Sequence, residues 1–223
     1  MPLLALDQAC ATYGGERAVG PVTLAVAEGE QVALVGRSGA GKSTLISLLY
    51  APQRRELALM PQEPGLVQTL SVFHNVYMGR LGAHAAWYNI ANLVRPFARE
   101  VEGVRAVLDT LGMGGKLWAR VGELSGGQRQ RIAVARTLYQ RASVLLADEP
   151  VSALDVTRAE DVMRRLTDAY ATAVVALHDV ELALRHCSRI VGIDGGRVAL
   201  DEPARRLSAR DLLPLYDYER AAG

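Results

Sequence analysis

Residues 31–43, which read QVALVGRSGAGKS, decide the fold of this chain. The apolar run over 31–35 predicts a buried β-strand, and the pattern that begins near Lys42 predicts a helix directly after the glycines. The segment 36–43 between them matches the pattern GxxxxGK[ST] in full. A strand, a glycine-rich loop and a helix in this order predict a phosphate-binding loop.

The residue types of this loop suit the chemistry of a nucleotide. Its glycines let backbone N–H groups converge on phosphate oxygens, and the helix start adds the positive end of its dipole. Lys42 can reach the β- and γ-phosphates, which also makes it a candidate catalytic residue, and Ser43 can bind Mg²⁺. The candidate nucleotide-binding residues here are Gly36, Ser38, Gly39, Ala40, Gly41, Lys42, Ser43 and Thr44.

A second apolar run, residues 144–147, ends in Asp148 and Glu149. Taken alone, such a strand end is typical of a solvated turn. Beside a phosphate loop it predicts that Asp148 holds Mg²⁺ and that Glu149 polarises the attacking water.

The rest of the chain alternates between strand and helix patterns. This alternation predicts an α/β fold with a mainly parallel sheet and helices on both faces. Further strands are predicted over 3–13, 21–27, 57–60, 143–147, 173–177 and 189–200, the last being a pair that turns at 194–196; helices are predicted over 126–141, 157–170 and 180–186. Capping-box spacing occurs at Ser125 and Gln128 and again at Thr157 and Glu160.

Residues from about 71 to 118 have a helical pattern and mark a candidate insert, with Val101, Val104, Leu108 and Leu111 on one stripe. Both Trp, both Phe and two of the eight Tyr lie between residues 62 and 124. Such a cluster is typical either of a small helical core or of an exposed docking surface.

Composition excludes several classes of protein. The chain has 25 Lys and Arg against 24 Asp and Glu, so its net charge of +1 argues against a nucleic-acid partner. Cys10 and Cys187 are far apart and are predicted to be buried free thiols, which suits a reducing cytosol. No apolar run approaches the roughly 18 to 20 residues of a membrane span, and the first ten residues do not resemble a signal peptide. We therefore predict a cytoplasmic location.

Residues 124–128 read LSGGQ, just before a predicted helix. Two glycines after the Ser125 cap expose the N–H groups of the helix terminus, as an anion site requires. This pentapeptide is the signature of ATP-binding-cassette (ABC) ATPases, and the chain resembles that family over nearly its whole length. The resemblance implies a P-loop NTPase core, ATP and Mg²⁺ as cofactors, and contacts to ATP from Ser125, Gly126, Gly127 and Gln128.

The same resemblance implies roles for residues that would otherwise carry no signal. Tyr13 matches the aromatic residue that stacks on adenine, and Gln62 the glutamine that senses the γ-phosphate and Mg²⁺. Asp155, in the segment 152–155, matches the loop at the subunit interface, and His178 the switch histidine on the γ-phosphate. The implied Mg²⁺ ligands are Ser43, Gln62 and Asp148.

The family works as a head-to-tail pair, so a second copy of this chain is an expected partner. Integral membrane permease subunits are expected to bind the helical insert, about residues 63–140, and a solute-binding protein acts through them. The chain is then a peripheral subunit at the cytoplasmic face of the cell membrane. Segments 66–87 and 183–191 are similar to ATP-binding subunits of phosphonate importers, which favours phosphonate or a related phosphorus oxyanion as cargo.

One departure from the family concerns the 18 residues that separate Ser43 from Gln62, about half the expected number. They predict a reduced antiparallel subdomain. Two alternatives to a phosphonate importer stay open within the family: an importer subunit for another small solute, and a soluble ATPase of DNA repair or translation, although such proteins usually carry long coiled coils or a second cassette. A P-loop kinase or GTP-binding switch would not need residues 125–128.

Overall fold

The computed structural model describes residues 2–14, 16–50 and 57–216, without the side chains of residues 13, 16 and 17. The chain forms two compact units. The first is drawn from residues 1–62, 143–152 and 163–223, and the second from residues 63–142 and 153–162.

The first unit is built on a six-stranded sheet and a separate two-stranded sheet. Its strands are β1 (Leu4–Tyr13), β2 (Glu16–Val26), β3 (Gln31–Val35), β4 (Leu57–Met60), β5 (Val144–Asp148), β6 (Thr172–Ala176), β7 (Arg189–Asp194) and β8 (Arg197–Pro203). Its helices are α1 (Lys42–Leu49), α7 (Val180–His186) and α8 (Ala209–Leu212), with short 3-10 turns at Ala204–Arg206 and Leu213–Leu215.

The order of the large sheet is β4-β5-β6-β3-β7-β8, and only β7 and β8 pair in antiparallel fashion. The strands β5 and β6 are buried along their whole length, as their uninterrupted apolar sequences require. The predicted α/β fold is confirmed. Because β3, β5 and β6 are parallel, the loops that follow Val35, Asp148 and Ala176 lie at one edge of the sheet.

The two-stranded sheet β1–β2 packs on α1 and β3 in one continuous core. Its strand β1 contains a bulge, since the register shifts between Leu6 and Ala9 and Gln8 has a φ of 46°. The extra residue reverses the alternation of faces, so Cys10 is exposed although Leu4 is buried. The prediction that Cys10 is buried is therefore wrong, whereas Cys187 is buried as predicted.

The segment between Ser43 and Gln62 is short, as the sequence indicates. Its described residues form the rest of α1 and the strand β4, and residues 51–56 lie outside the described ranges. The pair β1–β2 is the one separate antiparallel sheet in the part of the chain that the structure describes.

The second unit is helical. Its helices are α2 (Val72–Tyr77), α3 (Ala86–Val94), α4 (Ala98–Thr110), α5 (Gly126–Gln140) and the first half of α6 (Val156–Ala169), with 3-10 turns at Met78–Ala83, Gly114–Lys116 and Val121–Glu123. The helix α4 buries Val104 and Leu108, and Leu111 follows it into the core, while Val101 is half-buried. No helix in the described ranges is both long and apolar enough to cross a membrane.

Some aromatic residues of this unit are buried in its core, and others are exposed on its surface. Phe73 and Tyr77 are buried and stack with ring centroids 5.9 Å apart. Trp87 and Trp118 are 71% and 54% exposed. The cluster is therefore a small core and also an apolar surface.

The two predicted capping boxes have different outcomes. Ser125 and Gln128 form the predicted box at the start of α5. The helix α6 begins one residue before Thr157, and its first turn is capped by Asp155, whose Oδ1 accepts a hydrogen bond from the Arg158 N–H at 3.0 Å. A carboxylate in this position also interacts favourably with the helix dipole. Because Asp155 caps the helix and Thr157 lies inside it, the prediction of a Thr157 cap is wrong.

Candidate nucleotide-binding site

The phosphate loop connects β3 to α1 and depends on glycine at two positions with positive φ. Gly36 has a φ of 142°, and a Cβ there would lie 2.2 Å from the Ile193 carbonyl oxygen. Gly41, the residue before α1, has a φ of 105°, and a Cβ there would lie 2.6 Å from Val19. Other residues would force the loop away from β2 and β7.

Lys42 is the first residue of α1 and is buried. Its Nζ donates to the carbonyl oxygens of Gly36 at 2.7 Å and Arg37 at 3.0 Å, so the ammonium group lies inside the loop. Burial lowers the pKa of Lys42, and the carboxylates of Glu149 and Asp148 act in the opposite direction. The site therefore holds a positive charge close to two negative ones.

Asp148, the last residue of β5, is only 5% exposed. Its Oδ1 has no hydrogen-bond partner in the described ranges. Burial raises the pKa of Asp148, while the nearby Ser43 side chain and the charges of Lys42 and His178 lower it. A buried carboxylate oxygen without a partner fits a cation or a cation-bound water.

The donor set fits Mg²⁺ in particular. The described residues include no group of three His, Cys, Asp or Glu side chains that could enclose a metal. Mg²⁺ does not need such a cage, because it keeps several waters and is held by one or two carboxylates together with substrate phosphates. Asp148 and Ser43 supply protein oxygens of the required kind.

Glu149 follows Asp148 in a strained conformation with a φ of 51°. Its N–H donates to the Ala176 carbonyl oxygen at 3.1 Å, which ties this residue to β6. The His178 Nε2 lies 2.6 Å from Glu149 Oε1, and the two side chains are 43% and 15% exposed. Positive φ at a residue other than glycine is concentrated at functional sites.

Lys42, Ser43 and Glu149 line a cavity of about 230 Å³ within the first unit. Every lining residue except Ala18 is one that the sequence predicts, and Gln62 joins the loop residues there. The lining is Ala18, Ser38, Gly39, Gly41, Lys42, Ser43, Thr44, Gln62 and Glu149. Ala18 lies in the first half of β2, before the predicted start of this strand at residue 21, so the sequence gives no signal for it.

The remaining predicted residues of the first unit contribute in other ways. Ala40 is buried and its carbonyl oxygen accepts from the Gly196 N–H at 3.0 Å, so it supports the loop from behind. Tyr13 is the last residue of β1, and its side chain lies outside the described part of the structure. Sequence reasoning also misses Tyr216, whose hydroxyl lies 3.2 Å from the Gly36 nitrogen; a single Tyr far along the chain gives no signal.

The signature residues and Asp155 belong to the second unit. Ser125 Oγ accepts from the Gln128 N–H at 3.3 Å, and the Gln128 side chain accepts from the Ser125 N–H at 2.9 Å. A Cβ on Gly126 would meet open space, whereas one on Gly127 would lie 3.0 Å from the Ala153 carbonyl oxygen. Asp155 is ion-paired with Arg158 at 3.0 Å. The start of α5 is thus capped by the Ser125 and Gln128 side chains, and the space beside Gly126 is empty of protein atoms.

Comparison with known proteins gives three kinds of match. The family described as "ABC transporter" matches residues 19–54 and 50–152. A protein named phosphonates import ATP-binding protein from Anaeromyxobacter dehalogenans is 41% identical over 99% of this chain, which spans about half (49%) of that protein's length. A protein of the same name from Pseudomonas putida is 39% identical over 94% of this chain and 88% of its own length.

Among solved structures, the dimer of a bacterial ABC transporter cassette, MJ0796, superposes with a TM-score of 0.80. It is 26% identical and covers 91% of this chain and 99% of the cassette. The same cassette in a post-hydrolysis state bound to ADP and Pi superposes with a TM-score of 0.73 at 26% identity, with coverage of 91% of this chain and 99% of the cassette.

Proposed function

Because this chain belongs to the ABC transporter family, we propose that it binds and hydrolyses ATP as the motor subunit of a membrane importer. The observation that carries the proposal is the first unit's cavity, where Lys42, Ser43, Glu149 and Gln62 meet beside the buried carboxylate of Asp148. A phosphate-binding loop, a cation site and a carboxylate base in one place fit phosphoryl transfer to water.

The roles of the residues follow from their positions. The N–H groups of the loop and the Lys42 ammonium bind the β- and γ-phosphates, while Ser43, Asp148 and Gln62 hold Mg²⁺. Mg²⁺, when bound, neutralises charge on the phosphate oxygens. Glu149 accepts a proton from the attacking water on its carboxylate, which its contact with His178 orients. His178 then also contacts the γ-phosphate, as the family resemblance implies.

We further propose that the active form is a dimer. Support comes from the dimeric cassette MJ0796 and from the open start of α5, which offers backbone N–H groups to an anion. In this arrangement the phosphate loop of one chain and residues 125–128 of its partner hold the same ATP, with Tyr13 stacked on adenine and Asp155 at the interface between the chains.

Helix α3 supplies the surface that we assign to the permease. Its sequence, AWYNIANLV, contains no charged residue. Trp87, Ile90, Leu93 and Val94 are between 52% and 81% exposed, and we call these four residues the α3 surface. An uncharged apolar face of this kind fits a protein partner better than water. The proposed docking insert, about residues 63–140, contains it, and the chain then acts as a peripheral subunit at the cytoplasmic face of the membrane.

The proposed cargo is phosphonate or a related phosphorus oxyanion. This choice is supported by relatives from Anaeromyxobacter dehalogenans and Pseudomonas putida that are named for phosphonate import and are 41% and 39% identical to this chain. The ATP site would not contact the cargo, so the solute acts through its binding protein and the permease by shifting the dimer between open and closed states.

The test is the ATPase activity of the chain reconstituted with its permease in lipid vesicles. The binding protein is added loaded in turn with a phosphonate, phosphate, an amino acid or a sugar. We expect stimulation by the phosphorus compounds alone. Stimulation by the amino acid or the sugar alone would point to an importer for another small solute, and failure to co-purify with any integral membrane protein would favour a soluble ABC ATPase.

A further inference from the structure

The 3-10 turn at Leu213–Leu215 is seated on the sheet beside the start of the phosphate loop. Leu215 is buried against Gly192 in β7, where a Cβ would lie 2.6 Å from the Leu215 side chain. Gly192 pairs with Val35, the last residue of β3. The absence of a side chain at Gly192 thus leaves room for the turn at the point where β3 passes into the loop.

The packing of this turn places the hydroxyl of the next residue, Tyr216, between the loop that follows β3 and the loop that follows β6. The Gly36 N–H donates to Tyr216 Oη at 3.2 Å, and the Tyr216 hydroxyl donates to the His178 carbonyl oxygen at 3.4 Å. One hydroxyl therefore uses its acceptor and its donor on different loops. Burial raises the pKa of Tyr216, while the Gly36 hydrogen bond lowers it, so the hydroxyl keeps the proton that it donates.

The two backbone groups that Tyr216 contacts belong to residues that hold reacting groups on their other side. The Gly36 carbonyl oxygen accepts from Lys42 Nζ at 2.7 Å. The His178 ring lies 2.6 Å from the Glu149 carboxylate. Tyr216 thus links two groups of the site. Gly36 connects it to the Lys42 ammonium group, which is proposed to bind the phosphates, and His178 connects it to the Glu149 carboxylate, which is proposed to activate the water.

We propose that Tyr216 is a positioning residue for ATP hydrolysis, whose hydroxyl fixes the backbone of Gly36 relative to that of His178. The inference rests on the proposed function of this site. In this inference Leu215 packs the turn against the sheet, and the Tyr216 hydroxyl has a separate effect on the rate of ATP turnover. Removal of the hydroxyl alone should therefore change catalysis while the ring and the turn stay in place.

The variant that isolates the hydroxyl is Tyr216→Phe. Since a hydrogen bond is worth about 0.5 to 1.5 kcal/mol net, loss of the hydroxyl should lower kcat about two- to twelvefold. The KM for ATP should change less than twofold, because the phosphate contacts of the loop are retained. Tyr170→Phe is the matched control, since Tyr170 is also buried in the first unit but precedes β6, at the opposite ends of the parallel strands. Its kcat should equal that of the unaltered chain.

A double-mutant cycle separates positioning from general loosening. If Tyr216 acts through His178, Tyr216→Phe should cause no further loss of single-turnover rate in a His178→Ala background. The same fold loss in both backgrounds, or an unchanged kcat in Tyr216→Phe alone, overturns the inference.

A readout without nucleotide distinguishes this inference from the proposed function. Hydrogen exchange of the Gly36 amide should be faster in Tyr216→Phe than in the unaltered chain and unchanged in Tyr170→Phe. Exchange that Tyr216→Phe leaves unchanged overturns the inference even if the chain is an active ATPase. An unaltered chain that hydrolyses no ATP, with faster exchange in Tyr216→Phe, overturns the proposed function and not the contact.

Discussion

Glu149 is the residue at which the backbone and the proposed chemistry meet. Its φ of 51° is one that few residues other than glycine adopt, at a cost of about 1 to 3 kcal/mol. The N–H bond to Ala176 and the contact with His178 hold the carboxylate in this conformation. The carboxylate is therefore oriented before a water molecule arrives.

We predict that Glu149→Gln lowers ATP turnover by about 10²- to 10⁴-fold, the range typical of a general base. The amide has nearly the same shape but cannot accept the proton. Binding of ATP should persist, so an ATP-bound dimer should accumulate and appear by gel filtration with trapped nucleotide. Glu28→Gln, which changes an exposed carboxylate in the turn before β3, is the control. A normal hydrolysis rate in Glu149→Gln would remove this residue from the proposed role.

At the scale of single residues, the sequence predicts functional residues where neighbours in the chain belong to the same site. Lys42 and Ser43 are adjacent, as are Asp148 and Glu149, so a local pattern contains both the chemistry and its spacing. Residues that reach the site from distant segments, such as Ala18 and Tyr216, have no such pattern. Their positions depend on strand pairing and on the docking of a turn, which only the folded chain displays.

Elements with one dominant signal were predicted closely. The strands β3 and β4 and the helix α7 have the predicted bounds, because an uninterrupted apolar run or a capped amphipathic run leaves little choice. The strand β2 begins at Glu16, five residues before the predicted start at Pro21, because Gly20 and Pro21 interrupt the strand pattern without ending the strand. The predicted boundary of β2 is thus wrong because pairing with β1 continues across Gly20 and Pro21, which usually interrupt a strand.

At the scale of one helix, we predict that Val94→Asp weakens binding to the permease at least tenfold while leaving ATP binding and the melting temperature nearly unchanged. The side chain is 81% exposed, so a charge there costs the isolated chain little, whereas it would have to be buried without a partner in a protein interface. The measurement is retention of the permease on the tagged chain in detergent.

Val156→Asp is the matched control, because Val156 is 80% exposed and lies at the start of α6, outside the α3 surface. The same substitution there should retain the permease. Equal retention by Val94→Asp and Val156→Asp would assign the docking to another face of the chain.

At the scale of the whole molecule, the phosphate loop and the signature belong to different compact units of the same chain. In the proposed head-to-tail dimer each ATP needs the first unit of one chain and the second unit of the other. One chain then contributes half of each of two sites, and a two-fold pair completes both.

Mixed dimers test this arrangement. In a Glu149→Gln background, a chain with Ser125→Arg is paired with a chain carrying Lys42→Ala, and the heterodimer is purified through two different tags. It should retain one trapped ATP, because one site has an intact loop and an intact signature while the other has both defects. Homodimers of either variant should trap none. A heterodimer without trapped ATP would show that loop and signature act within one chain.

The bulge at Gln8 has a practical consequence for such experiments. It turns Cys10 outward, while burial raises the pKa of the Cys187 thiol to about 12, and these are the two cysteines of the chain. Because the thiolate is the reactive form, we expect a maleimide dye to attach at the exposed Cys10 without any substitution. That fluorophore lies in the same strand as Tyr13, three residues away, so adenine that stacks there would change its emission.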